Sequence, residues 1–219
     1  MVSDPTSRRR SKPKSEPGQA AKATYHHGNL REALLQAGLA LLESVPADQV
    51  SLREIARQAG VSANAVYRHF ADKDALLMAL AAEGFRRLGA TQVEAREGAK
   101  DAIEVMLNAG RAYIHFARDN PALFRLMFGR FAKSHRTEEL AEAEKMSIGP
   151  LLAAVAARKN REETDPRVVN GMVHAWALVH GLSHLLLEGQ FADMTDNPEQ
   201  LMWDVLVQAS QLGGKKSGE

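Results

Sequence analysis

The side chains best suited to binding chemistry lie in one short segment, residues 62–73. If Val66 and Phe70, four residues apart, face a core, the opposite helical face begins with small and polar groups. Such groups fit the major groove of DNA and reach base edges, which we assign to Ser62, Ala63, Asn64 and Arg68. Longer polar groups suit phosphates, which we assign to Ser51, Tyr67, His69 and Lys73.

Two short helices joined by a tight turn would position these groups. Ser51 and Glu54 form a capping-box pattern at the start of the first helix, and Gly60 ends it. Ser62 is an N-cap candidate for the second helix. The arrangement is typical of a helix-turn-helix. An ordinary helical hairpin is the alternative, disfavoured because caps, turn glycine and apolar spacing all agree.

The same residues resemble a known family. The run from Leu52 to Phe70, followed by Lys73, is similar without a gap to the DNA-binding signature of TetR-family transcriptional regulators. Tyr67 and His69 match the tyrosine-x-histidine-phenylalanine element of that signature. The resemblance implies a homodimer that binds a palindromic operator, usually as a repressor, and that a small effector releases.

Composition favours a globular, DNA-binding protein. The 219 residues are 45% hydrophobic and 25% charged and contain no cysteine, which excludes disulfides and thiolate chemistry. No segment suits a membrane span, and the basic start lacks the apolar run of a signal peptide, so we expect a cytoplasmic protein. Residues 1–73 hold 11 Lys and Arg against 7 Asp and Glu, and the remainder holds 17 against 20. The asymmetry is modest, and most of the positive excess comes from the basic residues ahead of Tyr25.

The expected fold is all-α, with four regions along the chain. Residues 1–23 form a disordered basic arm that either contacts DNA or stays solvated. Residues 24–73 form the helix-turn-helix domain, and 74–212 a larger helical domain for effector binding and dimerisation. Residues 213–219 form a flexible tail. The first helix is predicted from the spacing of Leu30, Leu34, Ala37 and Leu41, with Asn29 as cap and with His26 and His27 solvated or structural.

The larger domain contains a cluster of aromatic side chains that could line a cavity. Methionine and phenylalanine adapt to varied apolar molecules, although each residue could equally be plain core. With the family resemblance, the cluster suggests a small apolar effector. The residues assigned to it are Tyr113, Phe116, Phe124, Met127, Phe128, Trp176 and His180. Trp176, His180 and Gly181 also resemble the WHG-type carboxy-terminal domain of one TetR subgroup. Further along, Gly149-Pro150 is expected to kink or split a helix.

The last two helices are predicted to form a dimer interface. Apolar residues of the first follow two neighbouring stripes, which suggests cover from its own domain and from a partner. Two helices from each subunit would then build a four-helix interface. The residues assigned to it are Met172, Ala175, Val179, Leu182, Leu186, Met202, Val205 and Leu206.

No pattern favours catalysis, a metal site or a cofactor. His180 and His184 have a spacing that lets two imidazoles share a metal, but no glutamate follows in the HExxH manner. A buried or interface histidine pair is the simpler interpretation. No nucleophile with a base and no phosphate-binding loop stands out, so we predict no enzyme. The alternative to a ligand-responsive regulator is a structural or chromosome-organising DNA-binding protein with a filled core and no effector.

Overall fold

The computed structural model describes residues 30–212. These residues form ten α-helices and one short 3-10 helix, with no strand among them, in agreement with the all-α prediction. In chain order they are α1 (Leu30–Leu42), the 3-10 helix (Ala47–Gln49), α2 (Leu52–Gln58), α3 (Ala63–Tyr67), α4 (Lys73–Glu94), α5 (Ala102–Asp119), α6 (Pro121–Phe128), α7 (Arg130–Ser134), α8 (Glu138–Lys159), α9 (Pro166–Leu187) and α10 (Pro198–Leu212). The predictions for the basic arm, His26, His27, Asn29 and the tail lie outside the described residues.

Helices α1, α2 and α3 enclose a small apolar core. Ile55, Val66 and Phe70 are buried in it, as their spacing predicts. Of the four residues that predicted helix α1, only Leu34 is fully buried, whereas Leu30, Ala37 and Leu41 are half-buried beside the buried face. The buried face of α1 is made of Leu34, Leu35, Gly38, Leu39 and Leu42.

The turn between α2 and α3 depends on Gly60. Its φ of +68° is a left-handed conformation that glycine adopts without the strain of a Cβ. The Val61 amide donates to the Ala56 carbonyl at 2.9 Å and the Gly60 amide to the Arg57 carbonyl at 3.2 Å, which is a Schellman motif. The capping-box prediction was wrong. Ser51 occupies the N-cap position without a side-chain bond, and the Glu54 carboxylate pairs with Arg57.

Helix α4 connects the small core with the rest of the chain. The Asp72 carboxylate accepts from the Ala75 amide at 2.8 Å and caps the helix. Gly38 of α1 lies so near α4 that a Cβ there would be 2.9 Å from Leu80 Cδ2. Beyond this contact α4 packs chiefly against α8, and also against α5 and α6. Movement of α4 is therefore shared by both parts of the chain.

Helix α8 differs from the sequence prediction in its continuity. Helix α8 runs unbroken from Glu138 to Lys159, so the predicted split at Gly149-Pro150 is absent. A proline inside a helix lacks an amide donor, and its ring crowds the carbonyl four residues earlier, so the helix continues only where packing supports this turn. That support comes from α4, because Gly89 packs against the Ser147 backbone.

One side of helix α9 packs against other helices of the same chain. Gly110 of α5 approaches Val179 and Leu206 closely, which joins α5, α9 and α10. Four of the residues assigned to the dimer interface are buried in this single-chain core, namely Val179, Leu182, Met202 and Leu206. Their surface is covered by the subunit itself, so a partner would have to meet α9 on another side. The other four, Met172, Ala175, Leu186 and Val205, are half-buried.

Candidate nucleic-acid interface and ligand cavity

The short helix α3 presents most of its predicted DNA contacts to solvent. Val66 holds it on the core, and the residues on its other side are exposed except for half-buried Ala63. The exposed set comprises Ser62, Asn64, Tyr67, Arg68 and His69. Because small groups come first and larger ones follow, the helix can enter a groove by its amino end. We refer to α3 as the reading helix.

Two of the predicted phosphate contacts, Ser51 and Lys73, lie at the starts of other helices. Ser51 is the exposed N-cap of α2, and Lys73 is the first residue of α4. The Lys73 ammonium donates to the Asp48 carbonyl, which belongs to the 3-10 helix. A cation at a helix amino terminus adds to the field of the free amides and favours an anion there. A phosphate would share this ammonium with, or take it from, the Asp48 carbonyl.

A cavity of about 360 Å³ lies in the larger part of the chain. Its apolar wall comes from five helices, α4, α6, α7, α8 and α9, and from Tyr113 of α5. The apolar and aromatic lining residues are Phe85, Tyr113, Met127, Phe128, Ala132, Ile148, Leu151, Trp176 and Val179. The volume is at the lower end of the range that holds drug-sized ligands.

Of the seven residues assigned to ligand binding, Tyr113, Met127, Phe128 and Trp176 lie on the cavity wall. Phe116 and Phe124 are buried in the core around it. The Phe124 and Phe128 rings are 4.8 Å apart, and the Phe128 and His180 rings 4.7 Å apart. Phe124 and His180 therefore support the wall from behind.

Trp176 and His180 meet at the hydroxyl of Tyr113. The Trp176 indole donates to the Tyr113 oxygen at 3.4 Å, and that hydroxyl lies 2.9 Å from His180 Nδ1. Burial, helped by the charges of His184 and Lys133, lowers the pKa of His180 to about 4. The imidazole is therefore neutral at pH 7, and its Nδ1 can accept a hydrogen bond from the Tyr113 hydroxyl. Burial also raises the pKa of Tyr113, so that this hydroxyl stays protonated.

Sequence analysis missed the polar side chains on the cavity wall. Gln92 and Ser147 lie there with only 7% and 8% of their surface exposed. Lys133, Arg136, Glu144 and Lys145 complete the lining. One signal was available for Gln92, since Phe85, Leu88 and Gln92 follow the three-and-four spacing of a buried helix face. No comparable signal marks Ser147 or Lys133, which are polar residues on amphipathic helices.

The exposed side of α9 carries an apolar ridge. Val169, Val173 and Leu185 are 39%, 47% and 43% exposed, which is unusual for large apolar side chains. Ala177 and Gly181 are exposed between them, and a Cβ on Gly181 would meet no atom within 4 Å. These five residues recur every four positions and form one ridge, which we call the α9 ridge.

A charged cluster ties the first helix to the cavity helix α8. Glu139, in the first turn of α8, contacts Arg31 of α1 and Arg86 of α4, each at 2.7 Å. Arg31 also lies over the Phe70 ring, with its guanidinium carbon 5.5 Å from the ring centroid. Farther along α8, Glu144 to Leu151 line the cavity. One helix therefore contacts both the ligand cavity and the element that supports the reading helix.

The fold and the exposed reading helix define a helix-turn-helix protein with a separate helical cavity. Residues 34–80 match the family model of bacterial regulatory proteins of the tetR family, and residues 106–209 match a tetracyclin repressor-like carboxy-terminal domain. The chain belongs to the TetR family of transcription regulators. This family consists of DNA-binding regulators and not of enzymes.

Several solved structures have the same fold. A protein of unknown function from Rhodococcus sp. RHA1 is 30% identical, with 87% of this chain and 96% of that chain covered and a TM-score of 0.70. A TetR family transcription regulator from Marinobacter aquaeolei VT8 is 23% identical over 83% of this chain and 95% of that one, with a TM-score of 0.59. A TetR variant from Acinetobacter baumannii AYE, in complex with minocycline, is 21% identical over 82% and 93%, with a TM-score of 0.57. Within residues 30–212, no helix has the length and apolar character needed to cross a bilayer.

Proposed function

We propose that this protein is a ligand-responsive repressor that binds a palindromic operator as a homodimer and leaves it when a small molecule occupies the cavity. Acting on the chromosome places it in the cytoplasm. The observation that carries the proposal is the reading helix, whose groove-compatible side chains are exposed while Val66 and Phe70 fix it on a rigid core. Specific readout needs such rigid presentation.

DNA contacts divide into two kinds with different signatures. Ser62, Ala63 and Asn64 at the start of the reading helix would touch base edges, with Arg68 beside them. Ser51, Tyr67, His69 and Lys73 would bind phosphates and fix the register. Loss of a phosphate contact weakens all sequences alike, whereas loss of a base contact removes discrimination.

Lys73→Ala tests the phosphate contacts. On a duplex selected from a random library, and on an unrelated duplex, this variant should bind more weakly by the same factor. The slope of log affinity against log salt should flatten by about one unit, because about one fewer counterion is released. Lys100→Ala, on the exposed loop before α5, is the charge-matched control and should leave the slope unchanged. A loss confined to the selected duplex would remove Lys73 from the phosphate contacts.

The α9 ridge supports homodimerisation. An exposed apolar ridge at steps of four is the surface by which two helices interdigitate, and a second copy brings the same ridge. Ala177→Arg places a charge in the middle of this surface without an intramolecular clash, because Ala177 is exposed in the single chain. Sedimentation should show monomers for Ala177→Arg and dimers for Ala153→Arg, an equally exposed position on α8. Dimers of both variants would show that the interface lies elsewhere.

The cavity favours a ligand-responsive regulator over a structural DNA-binding protein, for which a filled core would suffice. Helix α8 lines the cavity and holds α1 through Glu139 and Arg31, so a ligand that displaces α8 also acts on the reading helix. The same ligand must then bind more weakly to the operator complex, by the factor by which it weakens operator binding. Titration of one ligand against the free protein and the operator complex measures the change in ligand affinity, and titration of the operator against free and ligand-saturated protein measures the change in operator affinity. Unchanged operator affinity with the ligand bound would contradict release by that ligand.

A further inference from the structure

We propose that the cavity ligand is a small amphipathic anion, with an aromatic or apolar body, one acidic group held by Lys133, and a hydrogen-bonding atom for Gln92 and Ser147. The inference rests on the proposed function, because it names the chemical class of the effector. Three features of the cavity wall lead to it, and each concerns a different part of the ligand.

The body of the ligand follows from the apolar wall. Phe85, Tyr113, Phe128 and Trp176 place four aromatic rings around a space of about 360 Å³. Aromatic rings contribute large contact areas and prefer offset or edge-on neighbours, so they suit a flat, apolar partner. The Trp176 indole nitrogen is hydrogen-bonded to the Tyr113 hydroxyl, and that hydroxyl is hydrogen-bonded to His180. Tyr113 and Trp176 therefore offer the ligand mainly their ring surfaces.

The hydrogen-bonding atom follows from two buried polar groups. Only 7% of Gln92 and 8% of Ser147 is exposed, and within residues 30–212 neither side chain makes a hydrogen bond. Among these residues the only fully enclosed side-chain nitrogen or oxygen without a partner is Arg96 Nε, so the polar atoms of Gln92 and Ser147 are accessible from the cavity. Buried amides and hydroxyls are normally paired, because an unpaired one loses the hydrogen bonds it made in water. Both side chains line the cavity, so a ligand can supply the missing partner.

The acidic group follows from the balance of charge. Of the three cations on the wall, Arg136 is paired with Glu144, and Lys145 lies 2.7 Å from Glu142. Lys133, in the last turn of α7, is an exposed residue on the cavity wall and has no ion-pair partner in the described part of the chain. One uncompensated ammonium at the edge of an apolar cavity fits a single negative charge.

Two fluorescent probes with the same skeleton separate the anion from the apolar body. 8-Anilinonaphthalene-1-sulfonate carries a sulfonate, and N-phenyl-1-naphthylamine lacks it. We expect the sulfonate to bind the full-length protein more tightly and Lys133→Gln to weaken its binding about threefold, because solvent screens an ion pair with an exposed lysine. The neutral probe should bind Lys133→Gln and wild type equally. Lys100→Gln, away from the cavity, should change neither affinity.

Equal affinity of both probes, or an unchanged affinity of Lys133→Gln for the sulfonate, would overturn the claim that the ligand carries an acidic group held by Lys133. The claim that the cavity binds a small molecule would still stand. Ile148→Trp, which fills the cavity from its half-buried wall, should abolish binding of both probes. If both probes still bind to that variant, their site is elsewhere, and the effector part of the proposed function fails as well. Absence of binding to wild type would overturn the ligand class.

Gln92→Leu tests the hydrogen-bonding atom. The anilino N–H is common to both probes, so loss of the Gln92 amide should weaken both by several-fold. The ligand-free variant should be at least as stable as wild type in urea, because Gln92 has no partner to lose within residues 30–212. A less stable variant that binds both probes normally would make Gln92 a structural residue and overturn this part of the proposal.

Discussion

Glu139→Gln should weaken the contact between α1 and the cavity helix α8. The carboxylate contacts Arg31 and Arg86 at 2.7 Å each, and glutamine keeps its shape while removing its charge. Partial burial favours the protonated carboxyl, but the hydrogen bonds and charges of the two arginines outweigh it and lower the pKa of Glu139. Its stabilisation is therefore complete above pH 4.5, the ordinary value, and is lost as pH falls through the lowered one.

The expected magnitude follows from the exposure of these groups. The side chains of Arg31, Arg86 and Glu139 are 42%, 35% and 36% exposed, so solvent screens both pairs. Exposed pairs contribute up to about 1 kcal/mol each, and two pairs sharing one carboxylate are less than additive, so we expect a loss of about 1 kcal/mol. For a chain of this length that lowers Tm by about 3 °C.

The measurement is urea and thermal unfolding at one protein concentration, since dimers unfold in a concentration-dependent manner. Glu142→Gln is the matched control, because it lies on the same helix and pairs only with exposed Lys145. It should leave Tm nearly unchanged. Equal losses in the two variants would refute the argument, as would a loss in Glu139→Gln that persists below the pH at which Glu139 protonates. A double-mutant cycle with Arg31→Gln should give a coupling energy of about 0.5 kcal/mol.

Three further outcomes are expected. Asn64→Ala should cost about 1 to 3 kcal/mol on the selected duplex, mostly as lost base discrimination in competition binding, and unchanged base preference would remove Asn64 from the base contacts. Gly38→Ala should lower the free energy of unfolding by about 1 to 3 kcal/mol, because the new methyl group overpacks against Leu80. Gly149→Ala has no atom within 4 Å of its Cβ and should raise the free energy of unfolding. Urea unfolding that shows both variants changing stability in the same direction would contradict this. The pKa of His180 is lowered from 6.5 to about 4, so between these pH values the unfolded chain binds a proton that the folded chain does not. The free energy of unfolding should therefore decrease as the pH is lowered from 6.5 to about 4, and it should decrease less in His180→Asn.

The reading helix illustrates how much of a site local sequence can predict. Gly60 and the four-residue spacing of Val66 and Phe70 act within one or two turns, so they predicted the helix-turn-helix and its exposed face. Ser51 and Ser62 occupy the N-cap positions without a side-chain capping bond. The capping box failed because Arg57, three residues after Glu54, offers that carboxylate a charged partner in place of a backbone amide.

The cavity shows where local sequence stops being informative. An aromatic cluster was visible, but Phe116 and Phe124 turned into the core while Phe85 turned to the cavity, because neighbouring helices decide which side of each ring is covered. Gln92, Ser147 and Lys133 come from three helices and meet only after packing. Four of the residues assigned to the dimer interface, Val179, Leu182, Met202 and Leu206, are buried within the single chain. Sequence could not separate them, because an apolar stripe has the same spacing whether its own domain or a partner covers it, and the interface itself stays a prediction.

By itself the sequence determined the class of fold, the DNA-binding motif and the family, because these depend on periodicity, caps and short motifs that a single segment contains. Tertiary structure alone decided which face of α9 remains exposed, which polar side chains line the cavity, and how Glu139 joins α8 to α1. These properties depend on residues far apart in the chain, whose proximity results from helix packing and leaves no periodic trace in the sequence.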